Sequence, residues 1–374
     1  MRKLVTLALL LVSLTGSLLR LIPIPFSMGS IWLLGVAAHE LTSWFILPNL
    51  IGALVSYRWS KAIAAIFVAS LLYGVWPWAQ IPWIEGDLSR QWKSQGFAED
   101  TLHLPAIGGI FARSFNPGDS QEVVPTTLPT GTLFYKGASS VTADPLPIIV
   151  EIHGGAWKWG GPQVDGAFSS YFASHGYAVF AIDYRKAPQS QFPAQLDDVQ
   201  AAIAWIHTHA AEYGADPYRI ALAGFSAGGH LAMLAGYAND RVPIRAVVSF
   251  YGPTDLTALH SSPPQPYPVL VSSMVEDFLG GTPGQIKESY RRASPLNQVE
   301  GKLPPTLQIQ GQQDHIVTPA LARGMHQRLL TNGTRTILLE LPWSEHSFDF
   351  VYFGPGNTLA LTLTDSFLAE TMQP

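Results

Sequence analysis

The sequence predicts an α/β domain, a mostly parallel sheet covered by helices on both faces, set behind an apolar membrane region of about three helices. Three observations carry this. From residue 146 onward, short runs rich in Val, Ile, Leu and Ala alternate with longer segments of helical period. Two of those runs end in glycine-rich turns, His153-Gly154-Gly155-Ala156-Trp157 and Gly224-Phe225-Ser226-Ala227-Gly228. Residues 1–84, by contrast, carry few charges. The 374 residues therefore divide into a membrane region, 1–84, and an α/β domain, 85–374.

In the membrane region, Arg2 and Lys3 precede an uncharged run over 4–19, and only Arg20 and Glu40 carry charge before Arg58. Residues 62–81 are uncharged again, with Trp76, Trp78 and Trp83 near their end as interface anchors. Three spans follow, over 4–22, 31–57 and 62–81. A cleaved signal peptide accounts only for the first. Arg2 and Lys3 then share the cytoplasmic side with Arg58 and Lys61, and an odd number of crossings makes this a multi-pass protein with its α/β domain outside the cytoplasm. The middle span is long: its 27 residues reach about 40 Å, against a hydrocarbon core of about 30 Å. Tilt, a kink at Pro48 or an exit near His39-Glu40 absorbs the excess, whereas a split into two spans reverses the side. An interfacial position for His39 and Glu40 is preferred to a polar site within the membrane. The region reads as an anchor, so that removing 1–84 is expected to release a domain with at least part of its activity.

Residues 86–146 are harder to read. Possible strands lie near 102–104 and 132–135, with a loop rich in Thr, Pro and Gly between them, and these suit antiparallel edges of the sheet. Beyond them the pattern is clear. Pro147-Ile148-Ile149-Val150-Glu151-Ile152 and Tyr177-Ala178-Val179-Phe180-Ala181-Ile182-Asp183 are strands, separated by a helix over 166–175. The segment 194–213 is an amphipathic helix with Leu196, Val199, Ile203 and Ile206 on one side and Asp197 and Asp198 in its first turns. A helix over 320–331 joins the last two strands, and one over 357–372 closes the fold. The insertion 256–290 differs: it opens with a proline-rich run, Ser261 to Pro268, and reads as a cap or pocket wall over one edge of the sheet.

The chemistry lies at the strand ends. Gly224-Phe225-Ser226-Ala227-Gly228 follows the strand Arg219-Ile220-Ala221-Leu222-Ala223 and opens a helix, which is the context of a nucleophile elbow. Its glycines allow the sharp turn. The glycines after His153 can turn backbone N–H groups toward a developing oxyanion. Asp314 follows the strand Pro305-Thr306-Leu307-Gln308-Ile309-Gln310-Gly311, and His346 follows Arg335-Thr336-Ile337-Leu338-Leu339-Glu340-Leu341. Ser226, Asp314 and His346 then come in the order nucleophile, acid, base. His346 takes the Ser226 proton, and Asp314 fixes its tautomer. The rivals have other roles. Asp255 caps the next helix. His230 is a packed or wall residue, and His153 orders the glycine loop. His315 adjoins the acid too closely to bridge both partners. Asp349 orders its loop, and Asp183-Tyr184-Arg185 ties loops near the nucleophile.

His153-Gly154-Gly155, Asp183-Tyr184-Arg185, Gly224-Phe225-Ser226-Ala227-Gly228-Gly229, Ser294-Pro295, Gly311-Gln312-Gln313-Asp314 and His346-Ser347-Phe348 together resemble the α/β-hydrolase superfamily. Within it they resemble hormone-sensitive-lipase-like, acetyl-esterase and feruloyl-esterase-like carboxylic ester hydrolases. The resemblance covers about residue 146 to the C-terminus. It implies an α/β-hydrolase fold, Ser226 as nucleophile, Asp314 as acid, His346 as base, and an oxyanion hole from the N–H groups of Ala227 and of Gly154 or Gly155. One departure stands out: where such enzymes often carry Gly-His-Gly-Phe around the base, this chain has Ser344-Glu345-His346-Ser347-Phe348.

Composition narrows the function classes. There is no cysteine, so neither a disulfide framework nor thiolate chemistry arises. A formal charge of -5 with only a small basic cluster argues against a nucleic-acid groove. No His-Glu-x-x-His or comparable spacing implies a metal, and no cofactor is expected. The expected activity is a serine carboxylic ester hydrolase acting through an acyl-enzyme on small or moderate acyl esters. Its expected partners are a small-molecule or lipid ester and the membrane bilayer. The alternatives are a lipase or acyltransferase using a membrane lipid, a serine peptidase of the same superfamily, and a non-catalytic membrane-tethered binding protein.

Overall fold

Alternate residues of each central strand enter opposite faces of the sheet, and helices bury both. A computed structural model describes residues 2–21, 30–58, 60–114, 123–128, 130–137, 144–238, 241–261 and 268–373. The strands are β1 (Thr126–Thr127), β2 (Leu133–Tyr135), β3 (Leu146–Ile152), β4 (Ala178–Ile182), β5 (Ala215–Phe225), β6 (Ile244–Phe250), β7 (Thr306–Gly311) and β8 (Thr336–Leu341). They form one eight-stranded sheet in the order β1-β2-β4-β3-β5-β6-β7-β8. β3 to β8 pair in parallel, while β2 pairs antiparallel with β4 and β1 with β2. The expected antiparallel edge at 132–135 is present. The strand expected near 102–104 is absent: that segment is irregular and docks on the last helix, where His103 exchanges hydrogen bonds with Ser366. The chain winds outward from β3 in both directions, and the crevice beyond the strand C-termini at such a switch point is where open α/β sheets bind ligands.

The helices are α1 (Arg2–Leu21), α2 (Ser30–Glu40), α3 (Thr42–Ser56), α4 (Lys61–Ser94), α5 (Ile107–Arg113), α6 (Gly166–Ser174), α7 (Ala194–His209), α8 (Ala227–Tyr237), α9 (Leu256–Ser261), α10 (Pro268–Leu279), α11 (Lys287–Ala293), α12 (Pro319–Thr331) and α13 (Pro355–Thr371). On one face Ile149, Val179, Ala221, Val248 and Leu307 meet side chains of α4, α6 and α13, among them Leu88, Trp92, Phe172 and Phe367. On the other, Ile148, Val150, Phe180 and Leu222 meet α7, α8, α10 and α12 through Val199, Ile203, Leu231, Phe278 and Met325. This is the period-two partition of strands covered on both sides.

The N-terminal region departs from expectation in three ways. Among the described residues only α4, of 34 residues, is long and apolar enough to cross a membrane; residues 6–19 and 42–56 are shorter apolar stretches. The three expected spans are therefore not obtained. The expected middle span is two helices, broken at Leu41 beside Glu40, while α3 runs on through Pro48. α4 also passes without interruption through residue 84. Trp78, Ile81, Ile84, Leu88 and Trp92 recur at helical spacing and all enter the same core as β7, β8 and α13. Sequence periodicity alone could not distinguish this stripe from a lipid-facing one. The first half of α4 packs with α1 and α3: Gly52 lies against Phe67, and Ser17 Oγ meets Ser70 Oγ at 3.3 Å. The outer face of this bundle exposes Leu47, Ile51, Leu54, Val68, Leu72 and Val75. Ile22, at the end of the first expected span, and most of the proline-rich run (262–267) lie outside the described residues.

Candidate active site

β5 delivers Ser226 at a sharp turn into α8, with φ 50° and ψ −116°, a conformation costly for a residue bearing a Cβ. The surroundings hold it there. A Cβ on Gly228 would run into the Ile152 carbonyl, and one on Gly224 into the Gly228 carbonyl. Ser226 N–H donates to Phe250 O at 2.9 Å, tying the elbow to β6. The strain is thus fixed by close backbone packing around a partly exposed hydroxyl.

The three expected side chains meet. Ser226 Oγ lies 2.9 Å from His346 Nε2, and His346 Nδ1 lies 2.7 Å from Asp314 Oδ2. Asp314 is buried at the end of β7 and saturated as an acceptor. Oδ1 receives Ile316 N–H (2.8 Å) and Val317 N–H (2.7 Å), and Oδ2 also receives Gln310 Nε2 at 2.9 Å. A carboxylate so filled presents an acceptor to Nδ1. This selects the tautomer in which Nδ1 carries the proton and Nε2 is free to receive one from Ser226. On the other flank, the Tyr251 ring lies 4.5 Å from the His346 ring, and its hydroxyl donates to Asp349. Burial raises the Asp349 carboxyl from 3.8 to about 6. The Tyr251–Asp349 bond ties the loop that carries His346 to the end of β6.

The glycine loop after β3 closes on the elbow. A Cβ on Gly154 would lie 3.1 Å from Phe225 O and 3.5 Å from Ser226 Cβ. Gly155, Ala156 and Trp157 all have positive φ (117°, 51° and 59°), and the N–H groups of Lys158 and Trp159 both donate to Gly155 O, so the loop is a tight turn. Ala227 is the first residue of α8, and its N–H has no acceptor within the helix. Behind the loop, burial drives the carboxyls of Glu151 and Asp165 well above the carboxylate range, and the two lie against each other.

The rival residues take the structural roles expected of them. Asp255 Oδ1 accepts Thr257 N–H (2.9 Å) and Ala258 N–H (3.0 Å), capping α9. His230 is fully buried, with Nε2 2.6 Å from Ala293 O and Trp157 Nε1 donating to Nδ1 at 3.2 Å. Burial lowers its pKa to about 4, so it is a neutral wall residue. His153 Nδ1 lies 2.6 Å from Gly154 O, and Tyr184 stacks on its ring at 4.4 Å. Arg185 Nε pairs with Asp198 at 2.8 Å, joining the loop after β4 to α7. Phe278 of α10 stacks on Trp157 at 4.3 Å, and Lys158 pairs with Asp277, so the 256–290 insertion packs on the glycine loop after β3.

Two residues where the sequence departs from the family pattern have roles that the sequence did not predict. Glu345, directly before His346, is buried and ties the His346 loop to the loop that carries Asp314. It accepts His315 N–H (2.8 Å) and His346 N–H (2.9 Å) and pairs with the His315 ring, whose pKa that bond raises. Ser347, where that pattern often has its second glycine, adopts φ 59°. The left-handed backbone that favours glycine is kept with a serine in it. Gln310, Tyr251 and Glu345 were invisible to spacing arguments because each acts through a partner distant in sequence. Among the described residues no group of three or more His, Asp or Glu side chains is arranged to hold a metal.

Comparison with known proteins bears on the family and the fold. The BD-FAE family profile matches residues 137–329, more than half of the chain. A probable carboxylic ester hydrolase, LipM, of Mycobacterium tuberculosis is 32% identical over 238 residues, covering 60% of this chain and 54% of the relative. The esterase LipC of the same organism is 35% identical over 221 residues, covering 55% of this chain and 54% of its own. The chain thus spans about half the length of the curated relatives it matches. Among solved structures, a bacterial heroin esterase superposes with a TM-score of 0.59 at 24% identity, covering 70% of this chain and 89% of its own. That likeness is one of fold, and with the mostly parallel, helix-covered sheet it makes this an α/β-hydrolase fold.

Proposed function

We propose, on the premise that this chain belongs to the BD-FAE family, that it is a serine carboxylic ester hydrolase attached to a membrane and acting on small or moderate acyl esters. The observation that carries the reading is the continuous hydrogen-bonded chain Ser226–His346–Asp314. Ser226 Oγ attacks the acyl carbon while its proton passes to His346 Nε2. The carbonyl oxygen becomes an oxyanion facing the N–H groups of Gly155 and Ala227, each worth about 10²–10³ in rate by analogy with other oxyanion holes. Collapse expels the alcohol, which takes the proton from Nε2 and leaves an acyl-Ser226 ester. Water then attacks that ester, gives its proton to Nε2, and releases the acid and free Ser226. Asp314 stabilises the imidazolium in both halves. The Trp157–Phe278 stack fixes the insertion 256–290 against the glycine loop after β3, and from there the insertion limits the acyl or alcohol group.

One observation favours a second reading, a lipid ester as substrate for a lipase or acyltransferase. The apolar bundle of α1, α3 and the first half of α4 is continuous through α4 with the core of the catalytic domain, which α4 enters at Trp78, so a membrane holding the bundle would bring lipid up to that domain. In both readings the bundle inserts into the bilayer. With Arg58 and Lys61 at the cytoplasmic end, α4 carries the catalytic domain to the other side. The test is a panel of esters given to the full chain in detergent and in vesicles. Preferential turnover of short p-nitrophenyl esters supports the first reading. Preference for phospholipid or long acyl chains supports the second, and turnover of neither class rejects both. A membrane-impermeant fluorophosphonate reports the side: labelling in intact cells is expected, and labelling only after lysis contradicts it.

A further inference from the structure

We infer that Glu40, contributed by the N-terminal helical region, is a positioning residue for the catalytic histidine, an inference that rests on the serine-hydrolase reading above. Glu40 ends α2 and is completely buried. Its Oε1 accepts the Ser344 hydroxyl at 2.5 Å, and its Oε2 accepts Gly356 N–H at 2.9 Å. These two partners bracket His346. Ser344 lies two residues before it, and Gly356 lies in the first turn of α13, just beyond the segment that carries it. One carboxylate therefore fastens both ends of the loop that holds the base.

The site is built to receive that group. A Cβ on Gly354 would lie 2.6 Å from Glu40 Oε2, and one on Gly356 would lie 2.9 Å from both carboxylate oxygens. Glycine at both positions leaves room for the carboxylate to approach the backbone. Ser344 also touches the acid loop: its carbonyl accepts Gln313 N–H at 3.0 Å, one residue before Asp314. The clasp thus acts where the acid and base loops meet. Burying a carboxylate is costly, and a completely buried one persists only where donors satisfy it. The segment it fastens includes Ser347 at φ 59° and the single 3₁₀ turn Phe348–Phe350, neither of which is stiff by itself. A fixed His346 thereby depends on α2, and the N-terminal region becomes part of the catalytic scaffold.

The distance at stake is the 2.9 Å from His346 Nε2 to Ser226 Oγ, and a shift of about 1 Å in such a contact can cost about 10²-fold in rate. The experiment measures kcat and KM on a short p-nitrophenyl ester for the full chain in detergent. It compares wild type, Glu40→Ala, Ser344→Ala and the double variant, with circular dichroism, thermal unfolding and fluorophosphonate labelling rate beside them. Glu40→Ala is expected to lower kcat on the order of ten- to a hundredfold. KM should stay within about threefold, because uniform binding is untouched. The labelling rate should fall with kcat. Ser344→Ala should lower kcat in the same direction, and the double variant should lose less than the product of the two single losses, since both act through one clasp. Wild-type kcat in folded Glu40→Ala, or fully independent effects of the two substitutions, overturns the inference. If Glu40→Ala does not fold, folded Ser344→Ala decides alone: a reduced kcat at constant KM supports the role, and an unchanged kcat overturns it. Absence of ester turnover and labelling in the wild type is a separate result, and it rejects the hydrolase reading itself.

Discussion

Asp314 has its acceptor positions filled by Ile316, Val317, Gln310 and His346. Replacing one oxygen with an NH₂ must therefore reverse at least one of these bonds. Asp314→Asn is expected to keep the fold and lower kcat by about 10⁴, as when His is left in the wrong tautomer. Asp255→Asn, at the α9 cap, should leave kcat within about threefold, since its cost is a local cap of about 1 kcal/mol. Steady-state kinetics on one ester with circular dichroism ranks the two, and the opposite ranking transfers the acid role. Asp349 gives a pH prediction. Burial raises its folded-state pKa from 3.8 to about 6, so its stabilising effect is complete below about pH 4 and is lost as pH rises through 6. Asp349→Asn can keep an acceptor for the Tyr251 hydroxyl without that loss. Its Tm relative to wild type should rise between pH 4 and 7, and a Tm difference independent of pH contradicts the burial argument. That Ser226, Asp314 and His346 come together was legible because each lies in the turn or loop that follows a strand. Glu345, Tyr251 and Glu40 were not, because their partners are set by tertiary contact, and a buried carboxylate reads in sequence as a surface one.

At the scale of elements, α4 has two tasks. Its N-terminal half joins the apolar bundle, and its C-terminal half covers the edge of the sheet. β8 ends the sheet with unpaired backbone groups, and the Gln91 side chain takes the place of a neighbouring strand. Leu338 N–H donates to Gln91 Oε1 at 2.9 Å, and Gln91 Nε2 donates to Leu338 O at 3.0 Å. Gln91→Ala should cost about 1–3 kcal/mol, the penalty for leaving partly buried backbone groups unpaired. Thermal unfolding should show it as a Tm lower by a few degrees, and an unchanged Tm would mean that water replaces the amide fully. The parallel strands β3 to β8 and their helices were legible from alternating periods. The dual role of α4 was not, because a stripe facing a protein core and one facing lipid have the same composition. The break at Leu41 was legible only as one alternative, an exit near His39-Glu40 beside tilt or a kink at Pro48, because no proline or glycine marks it. It falls just after Glu40, the last residue of α2, whose side chain reaches Ser344.

For the whole molecule, the common core of Trp78, Ile81, Ile84 and the β7–β8 layer changes what truncation should do. Deleting residues 1–84 removes these side chains and Glu40 together. The remaining chain is expected to be aggregated or to unfold at a clearly lower temperature, as size-exclusion chromatography and circular dichroism would show. A folded, active remainder would restore the view of the region as a simple anchor. The central claim is that Ser226, strained at the elbow and hydrogen-bonded to His346, is the nucleophile. Its most direct test is peptide mass spectrometry of the full chain after reaction with a fluorophosphonate, in wild type and in folded Ser226→Ala. One adduct on Ser226 is expected in the wild type and none in the variant, with ester hydrolysis lower by three or more powers of ten on the order-of-magnitude scale of nucleophile loss. An adduct on another residue, or labelling retained in the folded variant, contradicts it.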